Sequence, residues 1–315
     1  MNNINLTHIP VLKKEIIQSL NIKKNGIYID CTFGFGGHSK EILKHLSEKG
    51  KLYAIDKDPL AIKIGKKIQD RRFKIIKGNF SDILKYFQTK NFQQNIDGIL
   101  FDLGISSMQI NDPNRGFSFL SNGPLDMRMN PKLGITACNW LIKSNAKSIS
   151  KVLYKFGEER FAKKIAKKIV QQNKIKPITQ TSELVNLIKT IVPYNKKHPA
   201  TRTFQAIRIY INQELDELEK VFQYVLKLLK FKGRLSIISF HSLEDRIVKK
   251  FITQNSKLPF VPTGLAINEK QLKTLKIIML KNMGKIIPTK FEVQNNPRAR
   301  SAILRTAEMR YIYEE

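Results

Sequence analysis

Residues 30–39, Asp-Cys-Thr-Phe-Gly-Phe-Gly-Gly-His-Ser, constrain this chain more than any other stretch. They follow a short apolar run, Gly26-Ile27-Tyr28-Ile29, and precede residues 40–46, which read as a helix. Strand, glycine-rich turn and helix start, in that order, open a doubly wound α/β fold. Glycines at 34, 36 and 37 permit positive φ and leave no Cβ between the backbone and a ligand. The helix start offers unpaired N–H groups to an anionic or polar ligand end. Glycines close ordinary tight turns as well, so the next strand matters. Residues 51–55, Lys-Leu-Tyr-Ala-Ile, end in Asp56, twenty residues beyond Gly36. Nucleotide-binding folds place a ribose-binding carboxylate at that position, and the two signals in register point to a nucleoside cofactor.

At 315 residues the chain can bury a substantial core, as one domain with an insertion or as two. Its 56 Lys and Arg against 26 Asp and Glu give a formal net charge of +30. That balance suits a polyanionic partner, most simply nucleic acid, although a general bias towards Lys, Ile and Asn would also raise it. Cys31 and Cys138 form no CxxC pair and no even framework, which fits a reducing compartment. No run approaches the roughly 18 apolar residues of a membrane span, so a soluble, cytoplasmic protein is expected.

Residues 1–25 read as an entry segment with a short helix. A third strand at 72–76 closes on Gly78-Asn79-Phe80, where a nucleoside base would rest. Phe80 suits either an adenine face or the core. A fourth strand at 96–101 runs into Asp102-Leu103-Gly104. A carboxylate at the mouth of a central strand is a natural catalytic position, with a helix cap or a lysine partner as the plainer role. From 108 to 212 the pattern changes to turns and helices: an amphipathic helix over 155–172, another over 182–192, a basic turn at 193–199 and a long helix over 203–229. Lys163, Lys164, Lys167 and Lys168 suit a solvated face or a row of phosphate contacts. A fifth strand at 233–239 leads into Phe240-His241, the stretch 259–296 is irregular, and residues 301–307 read as a final strand. The expected organisation is a core in two parts, 1–107 and 213–315, interrupted by a helical insertion, 108–212.

The spacing Asp30-x-x-x-Gly34-x-Gly36 resembles the first motif of S-adenosylmethionine-dependent methyltransferases; a dinucleotide loop would need glycine where Ser39 stands. Further segments extend the likeness: Asp-Leu-Gly-Ile-Ser-Ser at 102–107, Arg-Gly-Phe-Ser-Phe at 115–119 and Gly-Pro-Leu-Asp-Met-Arg-Met at 123–129. To these are added His-Pro-Ala-Thr-Arg-Thr-Phe-Gln-Ala at 198–206, Ser-Phe-His-Ser-Leu-Glu-Asp-Arg at 239–246 and Asn-Pro-Arg-Ala-Arg-Ser at 296–301. Together they resemble the bacterial 16S ribosomal RNA cytosine-N4 methyltransferase family over nearly the whole chain. The chain departs from it at Met108 and Ile110-Asn111, where Pro and Leu-Asp are more usual. The resemblance implies a Rossmann-like class I methyltransferase core with an RNA-recognition insertion, and S-adenosyl-L-methionine as cofactor. It places cofactor contacts on Gly36, Gly37, His38, Asp56, Phe80, Asp102 and Gln109, with Asp30 facing the methionine end. No metal is implied. The implied partner is 16S rRNA in the small ribosomal subunit, with oligomeric state, homo-oligomers included, left open.

The cytosine N4 lone pair is delocalised into the ring, so attack requires the amino group to pyramidalise. Acceptors on its N–H bonds favour that change, and Asp102 is the candidate acceptor and catalytic residue. The base must be flipped or already unstacked, with Phe117, Phe119 or Phe240 available either to stack on it or to fill the core. His241 suits a base contact, a phosphate contact or a structural role. Arg298 and Arg300 suit phosphate, or an ion pair with Glu244 or Asp245. Rival readings are methylation of another RNA amino group, a non-catalytic RNA-binding assembly factor, a nicotinamide oxidoreductase and a carbon-5 cytosine methyltransferase. The last needs a cysteine nucleophile, and neither cysteine is well placed.

Overall fold

Apolar runs without polar alternation suit strands covered on both faces. In the computed structural model, which describes residues 10–194, 198–257 and 279–310, such runs become the centre of a seven-stranded sheet. The first part of the entry segment, the middle of the basic turn and much of the irregular stretch lie outside the described residues. The strands are β1 (Ile27–Asp30), β2 (Lys51–Asp56), β3 (Phe73–Lys77), β4 (Ile96–Asp102), β5 (Leu229–Ser239), β6 (Leu280–Ile286) and β7 (Ile303–Met309). Their order is β3-β2-β1-β4-β5-β7-β6. β1 to β5 are parallel neighbours, whereas β7 runs antiparallel to both β5 and β6.

β1 pairs with β2 on one side and β4 on the other, with Asp30 level with Ala54 and Leu100. The strand order therefore reverses direction at β1, and the crevice beyond the carboxyl ends of β1 and β4 is where such sheets receive ligands. Successive residues enter opposite core layers, as the pleat requires. Ile29, Phe101 and Ile237 lie in one cluster, and Tyr28, Leu100 and Ile238 in the other.

The chain divides into two compact units. A sheet unit comprises Met1–Gly104 and Leu215–Glu315, and a helical unit comprises Ile105–Glu214. The sheet unit carries α1 (Lys13–Leu20), α2 (Gly37–His45), α3 (Pro59–Gly65) and the single turn α4 (Ile83–Tyr86). The helical unit is built from α5 (Ser107–Asn111), α6 (Ala137–Lys143), α7 (Ala146–Gly157), α8 (Ala162–Ile175), α9 (Thr181–Lys189) and α10 (Thr201–Asn212). α11 (Glu214–Leu228), α12 (Ser242–Ser256) and α13 (Lys290–Asn295) follow.

The expected helix over 155–172 is two helices. α7 ends at Gly157, where a Cβ would meet the Arg202 carbonyl oxygen of α10 at 2.6 Å. Glu158 follows in the left-handed region with φ 50°. The buried Glu159 carboxylate then accepts the Phe161 N–H at 3.0 Å and restarts the chain as α8. The expected helix over 203–229 is also broken, at Gln213 with φ 53°. Arg208 spans that break with a two-pronged pair to Glu214, 2.9 Å at each nitrogen. β6 escaped the sequence reading because it alternates nothing: it is an edge strand exposed from Lys281 to Ile286. β7 starts later than expected, since residues 297–301 form a 3-10 turn. Among the described residues no helix is long and apolar enough to cross a membrane.

Candidate functional site

The loop between β1 and α2 is tied from inside. Asp30 is buried, its Oδ1 accepts the Thr32 N–H at 3.1 Å, and its Oδ2 accepts the Ser39 hydroxyl at 2.7 Å. One carboxylate thus joins the two ends of the glycine-rich stretch, and burial raises its pKa. α2 begins earlier than the sequence suggested, at Gly37, and Gly36 caps it in the left-handed region with φ 73°. Neither glycine is explained by ligand approach alone. A Cβ on Gly36 would meet the Phe33 ring at 2.6 Å, and one on Gly37 the Pro10 ring at 2.5 Å. Phe33 and Pro10 already require both positions to lack a Cβ.

Asp56 ends β2 with both carboxylate oxygens anchored. Oδ2 accepts the Gly34 N–H at 2.8 Å and Oδ1 the Asp58 N–H at 2.8 Å. Each oxygen has a second lone pair, the stereochemistry needed to receive two ribose hydroxyls. Desolvation outweighs the two N–H donors and pushes its carboxyl up to about 6. Asp58 also caps α3, accepting the Leu60 N–H ahead of Pro59. An aspartate directly before a proline suits a helix start. Phe80 is half-buried beyond β3 and meets Phe101 edge-on at 5.6 Å between centroids. Its ring serves the core on one edge and keeps part of its surface accessible.

At the mouth of β4 the Asp102 N–H donates to Thr32 Oγ1 at 2.6 Å, which locks this strand end to the β1 loop. Thr32 was missed by sequence reasoning, because its partner lies seventy residues away and no local signal marks the pair. The Asp102 carboxylate faces His38: Oδ2 lies 3.6 Å from His38 Nε2, an ion-pair separation just beyond hydrogen-bond reach. His38 is buried, yet the pull of Asp102 and Asp30 outweighs desolvation and raises its pKa. Both His38 ring nitrogens and Asp102 Oδ1 are buried and have no hydrogen-bond partner among the described residues. Buried polar atoms left without partners in one small region are what a polar ligand end would satisfy.

The other candidate residues have contacts of their own. His241 caps α12: its Nδ1 accepts the Glu244 N–H at 3.3 Å and its Nε2 lies 3.1 Å from Glu244 Oε1, so the structural role is filled. The Asp245 carboxylate is taken by Arg305, at 2.7 and 3.0 Å, rather than by Arg298 or Arg300. Phe117 is buried and Phe240 half-buried against the core. Phe119 stacks on His198 at 4.7 Å within the helical unit. Burial holds the Cys31 thiol well above its ordinary pKa, the reverse of what a thiolate nucleophile needs. Cys138 is raised for the same reason.

Gln109 belongs to the helical unit. It completes a capping box with Ser106: its Oε1 accepts the Ser106 N–H at 2.9 Å, and Ser106 Oγ accepts its N–H. The unusual neighbours Met108 and Ile110 therefore leave this turn intact.

A sheet of order 3-2-1-4-5-7-6 with one antiparallel strand, bearing carboxylates at the ends of β1, β2 and β4, defines a Rossmann-like class I methyltransferase. The chain belongs to the MraW methylase family, whose model matches residues 5–310. It is 58% identical over 311 residues to the ribosomal RNA small subunit methyltransferase H of Buchnera aphidicola subsp. Acyrthosiphon pisum (strain Tuc7), covering 98% of this chain and 99% of the relative. The protein of that name from Buchnera aphidicola subsp. Baizongia pistaciae (strain Bp) is 59% identical over 307 residues, covering 96% and 98%. Among solved structures, an rRNA methylase from Streptococcus thermophilus aligns at TM-score 0.41 and 11% identity, covering 95% of this chain and 94% of that one.

Proposed function

We propose that this protein transfers a methyl group from S-adenosyl-L-methionine to the exocyclic N4 of a cytidine in the decoding centre of 16S ribosomal RNA, in the cytoplasm and on the small ribosomal subunit. Near-full-length likeness to curated small-subunit rRNA methyltransferases supports the substrate. The observation that carries the chemistry is Asp102, with a buried, unpartnered oxygen at the carboxyl end of a central strand.

Asp56 would hold the cofactor's ribose through its free lone pairs, with Phe80 against the adenine. Gly36, Gly37, His38 and Asp102 would enclose the methionine end, and Gln109 is a further cofactor contact that the family resemblance implies. The bound cofactor supplies an electrophilic sulfonium methyl, so the protein needs only to position and polarise. Asp102 accepts an N–H of the target amino group, which draws the nitrogen lone pair out of the ring and readies it for attack. The amine that results carries one proton too many, and the Asp102 carboxylate would take it. His38, whose Nε2 lies 3.6 Å from the same carboxylate, would hold Asp102 in place for both tasks. The helical unit, Ile105–Glu214, would bind the RNA.

The deciding experiment is methyl transfer from labelled S-adenosyl-L-methionine to purified small subunits, followed by digestion to nucleosides. The label should appear as N4-methylcytidine. Label in 5-methylcytidine or in a purine would replace this reading with another methylation chemistry, and no transfer would leave a binding protein.

A further inference from the structure

The +30 charge of the chain is unevenly spread. Between residues 143 and 176 stand eleven Lys and Arg against two acids; the rest of the helical unit has eight against four. All eleven are exposed, whereas one of the two acids, Glu159, is buried in the cap between α7 and α8. Lys163 and Lys167 stand one turn apart on α8, as do Lys164 and Lys168, each pair about 6 Å apart along the axis. Ile165, Ala166 and Ile169 face inward, so the lysine rows occupy the opposite surface. Among the described residues none of these four lysines has a carboxylate partner. A face merely solvated by charge ordinarily intersperses acids at i+4 spacing, and this one does not.

At the α7–α8 junction the same surface folds into a recess of about 510 Å³. Tyr154, Arg160, Lys163 and Lys164 line it, beside Ser150 and Glu159. Tyr154 is 71% exposed, an unusual place for a large ring unless it has a face to offer. Cations that track a backbone, with an aromatic ring on which a base can stack, are how unpaired nucleic acid is held. A membrane surface would want several apolar side chains on the charged face, and here only Tyr154 and Ile175 are large, apolar and exposed along both helices.

We infer that the α7–α8 hairpin is an unpaired-RNA docking surface: the Lys163–Lys167 and Lys164–Lys168 rows contact phosphates, and Tyr154 stacks on one base at the recess. This rests on the RNA-methylating function proposed above and names the surface that would hold the substrate. The hairpin is assigned to binding alone, and the chemistry stays with Asp102.

The test uses the full chain in four variants. The hairpin variant carries Lys163→Gln, Lys164→Gln, Lys167→Gln and Lys168→Gln. A control removes the same charge from the sheet unit through Lys63→Gln, Lys66→Gln, Lys67→Gln and Lys90→Gln, all exposed. The third is Tyr154→Ala. Affinity for a short unpaired RNA of mixed sequence is measured against salt, together with methyl transfer to small subunits and the thermal midpoint. Four lost phosphate contacts should flatten the log–log salt slope by about 3, at roughly 0.7 per contact. Over a fourfold rise in salt, the hairpin variant should therefore lose about 50-fold less affinity than wild type. Arginine at the same four positions should restore the slope. Tyr154→Ala should weaken binding about 5- to 150-fold, the range for one base–aromatic stack, with the slope unchanged. The inference is overturned if the control flattens the slope as much as the hairpin variant, since the charge would then act without location. It is equally overturned if the hairpin variant binds phosphatidylserine vesicles less well than wild type while binding RNA normally. Wild-type methylation of small subunits with an unaffected hairpin variant would sink this inference alone, whereas no methylation by wild type would sink the function beneath it.

Discussion

The two units use buried charge differently. In the sheet unit, carboxylates are drawn inward: Asp30 is 1% exposed, Asp56 is held by two backbone N–H groups, and Asp102 keeps an unpartnered oxygen beside His38. In the helical unit the buried carboxylates are spent on the fold, Glu159 at the α7–α8 junction and Glu214 in its pair with Arg208. There Asn212 accepts the Met129 N–H at 2.7 Å and donates to the Met127 and Arg208 carbonyls, while cations line the outside. Desolvated charge is costly for the fold and valuable for chemistry, because it interacts strongly with what is placed against it. Exposed charge costs the fold little and acts through counterion release on a polyanion. The contrast predicts that changes in the first unit act on rate and cofactor affinity, and changes in the second on RNA affinity or local stability.

The sharpest break should come from Asp102→Asn, which keeps the size and one acceptor but removes the charge and the capacity to take a proton. Single-turnover transfer at saturating cofactor should slow by roughly 10²–10⁴-fold, the range for a positioned acid or base. RNA affinity should stay unchanged. A near-wild-type rate at saturating cofactor would instead make Asp102 a binding residue.

Asn212→Ala tests the hydrogen-bonded interior of the other unit. It strands the Met127 carbonyl and the Met129 N–H, each unsatisfied buried group costing about 1–3 kcal/mol. Denaturant melts should show the variant less stable by about 2–6 kcal/mol. A change under 1 kcal/mol would mean that water replaces the amide, and the contrast with the sheet unit would narrow.

Next in size is Asp56→Ala. Losing hydrogen bonds to a charged group costs roughly 1.5–3 kcal/mol, so calorimetry should find S-adenosylhomocysteine bound about 10- to 150-fold more weakly, with RNA affinity retained. The same carboxyl sets a pH dependence. With its pKa raised to about 6, it is neutral below that value and a four-site acceptor above it, so cofactor affinity should fall as pH drops through about 6. The free protein should respond in the other sense. A raised carboxyl contributes stability that is fully present below the ordinary aspartate range and is lost as pH rises through about 6. Cofactor affinity that is flat between pH 5 and 8 would remove Asp56 from the ribose site.

The smallest effect expected is that of Cys31→Ala. The thiol is buried and its pKa is raised, so methyl transfer should stay within a few-fold of wild type. Loss of transfer with the fold and cofactor affinity intact would revive a covalent mechanism.

Wherever interactions are local, the sequence by itself determined what this chain does. The apolar runs ahead of Asp30, Asp56 and Asp102, and the turns after them, carry their own backbone preferences, so strands, loops and carboxylates could be placed by counting residues. Other features have no local cause. Gly36 and Gly37 are needed because Phe33 and Pro10 fill the space above them. The amphipathic pattern of residues 155–172 runs on through a break, because α10 approaches Gly157 closely and the buried Glu159 resets the chain. β6 has no apolar alternation and exists as a strand only because β7 offers it a hydrogen-bonding edge. The link from Thr32 to Asp102, and the approach of His38 to the same carboxylate, depend on β1 and β4 lying side by side. Periodicity and turn chemistry act over a few residues, whereas the partnering of a buried charge is settled by whichever distant segment the packed sheet brings beside it.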